Sequence, residues 1–567
     1  MQKEKELRFL TKGDTVLAKS KSAQLFDQLQ DIIKNRTKDF QLLPPREIGT
    51  AQKDSITSGR SFRQAASVTV LAIGSQLILF VTQIAIASFF GAGAGMDAYL
   101  AVAVLPQYIA AVFLGSLGFV FLPVFVEQSS GRDEEDAWRM ASTVVNLVFV
   151  VLFLLTIVSL IFPGEIIRII SPGLPDSSGH LTHILALLIW PTMIGQALIT
   201  LLSTIYNARS KFIWAAVVPM LGSLVALILL FVLARSWGII GLAAATTAGL
   251  FFQVLLLVPV LVKNRHYRFV LDLRHPGVLR VLMLVTPLIL ASIAGKGTTV
   301  IERYLASSLI EGSISHLGYA FKLWTVATLL ISTGIATVAF PKMALNAVEK
   351  NKKELLKTVS STLRYIWMAA APAMTLGIAL ALPLITTIFQ RGKFLSSDSS
   401  AVAHLLQVYL LSVPAGCLGN ITTRVFYATK ETRTVAIFGT LESVAYVFYT
   451  AFLAHRFGVI GIACGYTILF NGSLLWQVVI MRRRIGSDQG NSTLRSFLNT
   501  LIAAICAGGI AWGFSSMFDS ALLELLAGSL IGILSYIFLL IALRSVEMRQ
   551  LMMIFTDSVK SVLAKTH

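Results

Sequence analysis

Fourteen stretches of about 20 mostly apolar residues follow one another along the 567-residue chain, from near Ala66 to near Leu543. Each is the length a helix needs to cross a hydrocarbon core. The bilayer interior holds no water to satisfy a free amide or carbonyl, so segments of this kind close their own hydrogen bonds as helices. Composition agrees, with 55% of residues hydrophobic, 13% charged and a mean hydropathy of +0.76, a balance unsuited to a water-facing surface. The expected fold is an all-α membrane protein of about 14 transmembrane helices. Pro106, Pro191, Pro287, Pro372 and Pro414 fall inside spans. They mark candidate bends, because an interior proline frees a carbonyl that a neighbouring helix or polar cavity must satisfy.

The net charge of +18 would suggest a nucleic-acid partner in a soluble protein. Here its placement has another cause, and no nucleic acid is expected. With the first span running outward, the inner loops hold 21 Lys and Arg, among them Lys263, Arg265, Lys352, Lys353 and Arg482 to Arg484. The outer loops hold six: Arg168, Arg235, Arg303, Arg391, Lys393 and Arg456. That asymmetry places both termini in the cytoplasm. Cys417, Cys464 and Cys506 lie within apolar spans without metal-like spacing, so neither a disulfide nor a metal site is expected. Residues 1–62 form a polar extension with no signal-peptide core. Within it Leu25, Leu29, Ile32 and Ile33 share a helical face beside Lys34, Arg36 and Lys38, a pattern that fits an interfacial helix on anionic lipid or a short soluble helix.

Compared with itself at an offset of about 220 residues, the chain repeats its punctuation. Ala87-Ser88 recurs as Ala306-Ser307, Tyr99 as Tyr319, Pro123 as Pro341, Pro191 as Pro414, and Tyr206-Asn207-Ala208 as Phe426-Tyr427-Ala428. The clearest pair is Trp237-Gly238-Ile239-Ile240-Gly241-Leu242-Ala243 against Phe457-Gly458-Val459-Ile460-Gly461-Ile462-Ala463. Each unit holds six spans, an even number, so the two halves share one orientation and are related by an axis along the membrane normal. The expected organisation is an extension (1–62), a first six-helix repeat (63–275), a second (276–485), helices 13 and 14 (486–545) and a cytoplasmic tail (546–567).

Charges inside a bilayer are costly and mark functional candidates. The first repeat has only Asp97, at the mouth of span 2. The second has Lys296, Glu302 and Arg303 along span 7, Lys322 in span 8, Arg424 in span 10 and Glu442 in span 11. Lys296 and Arg303 are seven residues apart and so lie on nearly one face of a continuous helix. With Lys322 they could form a basic pocket for a multiply charged anion such as a diphosphate, whose oxygens accept charge-assisted hydrogen bonds. The alternative is that Glu302 neutralises Arg303 and the pair anchors the end of span 7. Gly91, Gly93 and Gly95 join two spans as a tight outer turn rather than a nucleotide loop, and no Walker motif is present. His183 and His404 lack a second ligand at helical spacing. No cofactor or metal is expected.

Phe90-Gly91-Ala92-Gly93, Asp97-Ala98-Tyr99, Leu105-Pro106 and Phe121-Leu122-Pro123-Val124 together resemble the opening of the MviN/MurJ lipid II flippases, a branch of the multidrug/oligosaccharidyl-lipid/polysaccharide exporter superfamily. Phe389-Gln390-Arg391-Gly392-Lys393-Phe394 is similar to that family's outer-loop signature before span 10, and Phe426-Tyr427-Ala428 with Thr432-Arg433-Thr434 to the turn after it. The resemblance covers roughly residues 65 to 545. It implies a multi-pass protein of the bacterial cytoplasmic membrane, working as a monomer, that carries an undecaprenyl-diphosphate-linked saccharide, lipid II first, from the inner to the outer leaflet by alternating access. It also implies functional roles for Asp97 and Lys322, and a part for spans 13 and 14 in a groove for the lipid tail. The family's other central arginines fall on Gln76, Thr82 and Ala110, and a family glutamate on Gly115, in an ungapped comparison. Those charges are absent here, although Gln76, Thr82 and Gln83 are suited to hydrogen-bonding sugar hydroxyls.

Substrate binding is therefore assigned to Lys296, Arg303, Lys322, Asp97, Gln76 and Thr82, and possible coupling to Glu302 and Glu442, with the lipid-linked oligosaccharide and membrane lipids as partners. An exopolysaccharide or O-antigen repeat unit is the alternative cargo. A cation-coupled small-molecule exporter is a further alternative, disfavoured by the two extra spans. A membrane glycosyltransferase would need catalytic groups in sizeable outer loops, and the outer loops are short, so the chain is not expected to be an enzyme.

Overall fold

In the computed structural model the chain is described at residues 59–129, 134–175, 179–262, 267–348, 351–429, 431–484, 486, 491–553 and 556. The amphipathic pattern around Leu25 to Ile33 lies outside these. Residues 1–69 and 70–567 form separate compact units, the first described only from 59 to 69 as the opening turns of helix Gly59–Phe90. Among the described residues every regular element is helical. Nine helices among the described residues are long and apolar enough to cross a bilayer, or eleven when two bent pairs count as single spans.

Two of the nine are far longer than a crossing needs: Phe212–Leu261 with 50 residues and Arg433–Arg484 with 52. Both double back. Gly238 (φ 56°, ψ −134°) interrupts the first and Gly458 (φ 57°, ψ −134°) the second. In a straight helix residues eight apart stand about 12 Å apart along the axis. Here a Cβ on Gly241 would overlap the Leu233 carbonyl, and one on Gly461 the Leu453 carbonyl. Each long element is thus a helical hairpin turned on a glycine. Together with span 7, Pro276–Lys296 followed by Thr298–Ser307, the hairpins make the arrangement consistent with fourteen crossings.

The same pair of glycines shows the duplication in three dimensions, 220 residues apart with matching dihedrals. Side-chain bonds repeat at that offset too. The Thr247 hydroxyl donates to the Leu188 carbonyl at 3.0 Å, and the Thr467 hydroxyl to the Val408 carbonyl at 2.8 Å. In each repeat this bond ties the last span to the fourth beside its proline break, where Pro191 precedes helix Thr192–Ala208 and Pro414 opens helix Val413–Ala428.

Other prolines behave differently. Pro106 precedes a π-helical turn at Ala110–Leu114 in span 2. Pro372 lies inside helix Lys352–Ala379, but the 77° bend of span 9 comes at Leu380, between that helix and Ala381–Phe389. The expected bend at Pro372 is thus displaced by two turns.

The connection between the repeats is strapped to the inner end of span 3 (Glu134–Ile161). Buried Asn146 donates to the Val270 and Arg268 carbonyls at 3.0 and 3.3 Å and accepts from the Tyr267 hydroxyl at 2.5 Å. Asp136 meets His275 at 2.9 Å, and Arg139 meets Asp272 at 2.9 Å. Spans 13 and 14 (Asn491–Ser515 and Ala521–Ala542) pack on span 9. There the Trp367 indole donates to the Phe497 carbonyl, Thr375 to Ala504, and Tyr536 to Met368, at 3.0, 2.8 and 2.6 Å.

Gly238 and Gly458 hold a backbone conformation that side chains other than glycine adopt at a penalty of about 1–3 kcal/mol, while a Cβ at either site would meet nothing within 4 Å. Gly238→Ala and Gly458→Ala are therefore expected to destabilise the detergent-solubilised protein by similar amounts in that range through backbone strain alone. Thermal unfolding followed by intrinsic fluorescence would measure it, and an unchanged midpoint in both variants would remove the strain argument.

Candidate functional site: a seam between the repeats beside two cations

Asp97 stands in the first turn of helix Ala94–Ile109, at the start of span 2, and is 5% exposed. A helix N-terminus presents amides that have no partner within the helix and carries a partial positive charge. Asp97 supplies an acceptor to such a terminus in the other half of the protein. Its Oδ2 accepts from the Gly312 amide at 2.8 Å, and its Oδ1 accepts from the Ser315 amide at 2.8 Å and from the Ser315 hydroxyl. These residues open span 8, Ser313–Val348.

Around this bond the two repeats interlock. The Tyr319 hydroxyl donates to the Gly91 carbonyl at 2.9 Å, the Ala94 amide to Glu311 Oε1 at 2.8 Å, and the Lys393 amide to the Ser88 carbonyl at 2.9 Å. The Gly173 amide donates to the Ser307 hydroxyl at 3.3 Å. The approach at Lys393 is possible because Gly392 (φ 62°) has no side chain; a Cβ there would overlap the Ser88 carbonyl. Apolar packing is continuous across the same seam, where Ala87 and Ala101 of the first repeat are buried in the cluster that holds Ile314, Leu317 and Phe394. Hydrogen bonds and apolar packing thus join the two repeats at this end.

Beside this junction lie Arg303 and Lys322. The Arg303 guanidinium donates to the Ile314 carbonyl at 2.8 Å and lies against Gly318, whose other near neighbour is Leu100 of span 2. That face of span 8 looks onto the seam between the halves. Lys322, half-buried, is four residues past Gly318 and therefore on the same face, one turn further in. The two cations form a short stripe beside the seam.

Lys296 is not part of that stripe. Span 7 is interrupted at Gly297, which separates the helix ending at Lys296 from the one beginning at Thr298. The shared-face expectation for Lys296 and Arg303 assumed one unbroken helix. Lys296 is exposed, and no hydrogen bond or ion pair among the described residues joins it to Arg303 or Lys322. Gln76 is exposed on span 1, and the buried Thr82 directs its hydroxyl to the Ile78 carbonyl of its own helix at 2.7 Å.

Glu302 and Arg303 do not neutralise each other by contact. Successive helical residues diverge by about 100°. While Arg303 faces span 8, Glu302 is 5% exposed inside the second half, where Oε1 accepts from the Tyr409 hydroxyl at 3.0 Å. Glu442 lies further along span 11, against Gly472 of the hairpin's returning arm. Arg424 donates to Asn420 one turn back on its own helix at 3.1 Å. Among the described residues no group of three or more His, Cys, Asp or Glu could hold a metal ion.

The family model for lipid II flippase MurJ matches residues 86–531, from the end of span 1 into span 14. The chain belongs to the MurJ lipid II flippase family. Among its relatives, a probable lipid II flippase MurJ of Rhizobium meliloti (strain 1021) is 26% identical over 447 residues, covering 75% of this chain and 82% of the relative. One from Buchnera aphidicola subsp. Acyrthosiphon pisum (strain APS) is 29% identical over 378 residues, covering 64% and 73%. Among solved structures, a lipid II flippase MurJ in an inward closed conformation superposes with a TM-score of 0.75 at 23% identity, over 86% of this chain and 99% of that one. An inward-facing multidrug resistance MATE family transporter of the MOP superfamily gives 0.62 at 16% identity, over 74% and 98%. This MurJ-family chain is thus a multi-pass helical membrane protein.

Sequence reasoning identified Asp97 but not its partners. Gly312 and Ser315, which bind it, and Glu311 and Tyr319, which bind its neighbours Ala94 and Gly91, lie more than 200 residues away. Hydrogen bonds to a charged group are worth about 1.5–3 kcal/mol, so Asp97→Ala is expected to weaken the seam by about that much. The readout is the labelling rate of an Ala92→Cys reporter by a membrane-impermeant maleimide, with Cys464 and Cys506 replaced by alanine and Cys417 buried. About tenfold faster labelling is expected; an unchanged rate would show that Asp97 does not hold the seam.

Proposed function

We propose that the chain moves an undecaprenyl-diphosphate-linked saccharide, lipid II first among them, from the inner to the outer leaflet of the bacterial cytoplasmic membrane by alternating access, as a monomer with both termini in the cytoplasm. The observation that carries this reading is the pairing of the hydrogen-bonded seam, which acts here as the outer gate, with Arg303 and Lys322 directly beside it. A diphosphate offers oxygens to both cations, and low dielectric strengthens such contacts. Asp97 serves the gate in this scheme rather than the cargo, because its carboxylate is occupied in the closed state. Lys296, exposed below the break in span 7, meets the cargo earlier on its path, and Gln76 offers an amide to sugar hydroxyls.

Coupling falls to Glu302 ahead of Glu442. Glu302 shares a helical turn with Arg303, so a change in its charge is felt directly beside the cation stripe. The second cargo, an exopolysaccharide or O-antigen repeat unit, is favoured by one observation. Gln76, Thr82, Ala110 and Gly115 stand where the family resemblance places charged residues, so the first half offers the headgroup no charge at those positions.

Reconstituted protein is expected to move fluorescently labelled lipid II across liposomes. Lys322→Ala is expected to slow that movement about tenfold or more, and Lys322→Arg to keep most of it, since one charge-assisted hydrogen bond is at stake. Equal rates for wild type and Lys322→Ala would remove Lys322 from the site. Rescue of a strain depleted of its own lipid II flippase decides the cargo: growth supports lipid II, and failure of a well-expressed protein points to the second saccharide.

A further inference from the structure

Away from the seam, span 9 carries a polar stripe that the transport reading does not use. Glu354, Lys357, Ser361 and Tyr365 follow one another at helical spacing in helix Lys352–Ala379. They therefore share one face over about 16 Å of helix. That face borders a cavity of about 790 Å³, within the range of about 300–1,000 Å³ of small-ligand sites. Across the cavity Gly334 and Ala339 of span 8 present almost no side chain, while Ile335, Met368 and Leu551 add apolar surface. The lining thus grades from charge at the start of span 9 to hydrocarbon further along it.

The last wall is built by the tail. Span 14 ends at Ala542, the chain turns at Arg544 (φ 51°), and residues 546–553 are helical. Two contacts with consecutive residues of span 9 dock this segment. Arg364 meets Glu547 at 3.0 Å, with side chains 21% and 4% exposed, and the Tyr365 hydroxyl donates to Gln550 Oε1 at 2.6 Å. Glu547 also accepts from the Ser545 hydroxyl at 2.9 Å. Leu551, the residue after Gln550, is thereby held at the cavity.

We propose that this cavity holds an aminophospholipid of the phosphatidylethanolamine kind, with its ammonium on Glu354 and the hydroxyl oxygens, its phosphate on Lys357, and its upper acyl chains against Ile335, Met368 and Leu551. Glu354 and Lys357 stand 3.7 Å apart, with side chains 49% and 77% exposed, so both charges can reach a ligand. An anion beside a cation is matched by a headgroup that carries one of each, whereas a diphosphate would be repelled by Glu354 as it approached Lys357. The hydroxyls add direction. Ser361 gives its hydrogen to the Thr358 carbonyl at 3.0 Å and Tyr365 gives its own to Gln550, so both oxygens are left as acceptors. A primary ammonium brings three N–H donors to such acceptors, and a quaternary ammonium brings none.

The site does not depend on the identity of the cargo, so its test involves no transport. Full-length protein in detergent is titrated with dioleoylphosphatidylethanolamine, dioleoylphosphatidylcholine and dioleoylphosphatidylglycerol, and bound lipid is counted by native mass spectrometry. The first is expected to bind about fivefold more tightly than either of the others, the worth of an exposed ion pair. Glu354→Gln alters an exposed side chain and is expected to abolish that preference. Equal affinity for the three lipids, tighter binding of phosphatidylglycerol, or an unchanged preference in Glu354→Gln overturns the proposal. Leu551→Trp fills the cavity from the tail side and is expected to weaken binding of the ethanolamine lipid; unchanged binding overturns its placement there. Glycerophosphoethanolamine, the same headgroup without acyl chains, is expected not to displace the lipid at equal concentration, and displacement overturns the reading as a lipid site.

Discussion

The seam between the two halves depends on a carboxylate that belongs to one half and completes the other. Span 8 begins at a membrane surface, where its first amides have no partner within the helix. Asp97 provides that partner from span 2, adding a full negative charge to the positive end of the helix. Burial makes the bond strong, because water does not screen it. A second carboxylate acts in the opposite sense, Glu311 accepting from the Ala94 amide at the start of span 2, and the other contacts are neutral: main-chain amide to carbonyl at Lys393 and Ser88, and hydroxyl to carbonyl at Tyr319 and Gly91. Each can exchange its partner for water at little net loss. The seam is therefore held by two carboxylates, the buried Asp97 and the more exposed Glu311, among neutral contacts.

The two repeats are alike in backbone and unlike in chemistry. Gly238 and Gly458 have the same dihedrals, and the Thr247 and Thr467 bonds coincide in kind and position. Tyr99 and Tyr319 are also related by the 220-residue offset, yet they diverge. Tyr99 pairs with Thr246 inside its own repeat at 3.4 Å, whereas Tyr319 reaches across the seam to Gly91. Duplication supplied two equivalent frames. Polar groups placed afterwards at equivalent positions made one frame a mostly neutral wall and gave the other the cations and the partners of Asp97.

Much of the fold was legible because it rests on local patterns. Apolar length marked the spans, the Trp237-Gly238 and Phe457-Gly458 runs marked the duplication though not the hairpin turns they contain, and Pro191 and Pro414 marked real breaks. The site was harder to see because its contacts are not local. Asp97 stood out as an isolated charge, but nothing in its neighbourhood of the chain indicates Gly312 or Ser315. The same-face argument for Lys296 and Arg303 was correct arithmetic on a helix that is not continuous, since Gly297 is a weak signal among many membrane glycines. Pro372 misled in the opposite way. Membrane helices accommodate proline when a neighbour packs against the freed group, and here Thr375, within one turn of Pro372, is tied to span 13.

Span 7 shows what the break at Gly297 does mechanically. Below the break its hydrogen bonds run to the first repeat: the Tyr108 hydroxyl donates to the Ile293 carbonyl at 2.9 Å, and Ser116 and Ser292 pair at 3.4 Å. Above the break they run to the second: Glu302 takes the Tyr409 hydroxyl, and Arg303 engages the start of span 8. One span is thus fastened to both halves at points ten residues apart. Packed interfaces move as units and hinges absorb the difference, so a displacement of one half against the other has to be taken up between Ser292 and Glu302. A helix already interrupted at Gly297 can turn there without losing a continuous hydrogen-bond ladder. The residues on either side of that joint, Lys296 and Arg303, change their separation whenever it bends, and the sequence places a positive charge on each.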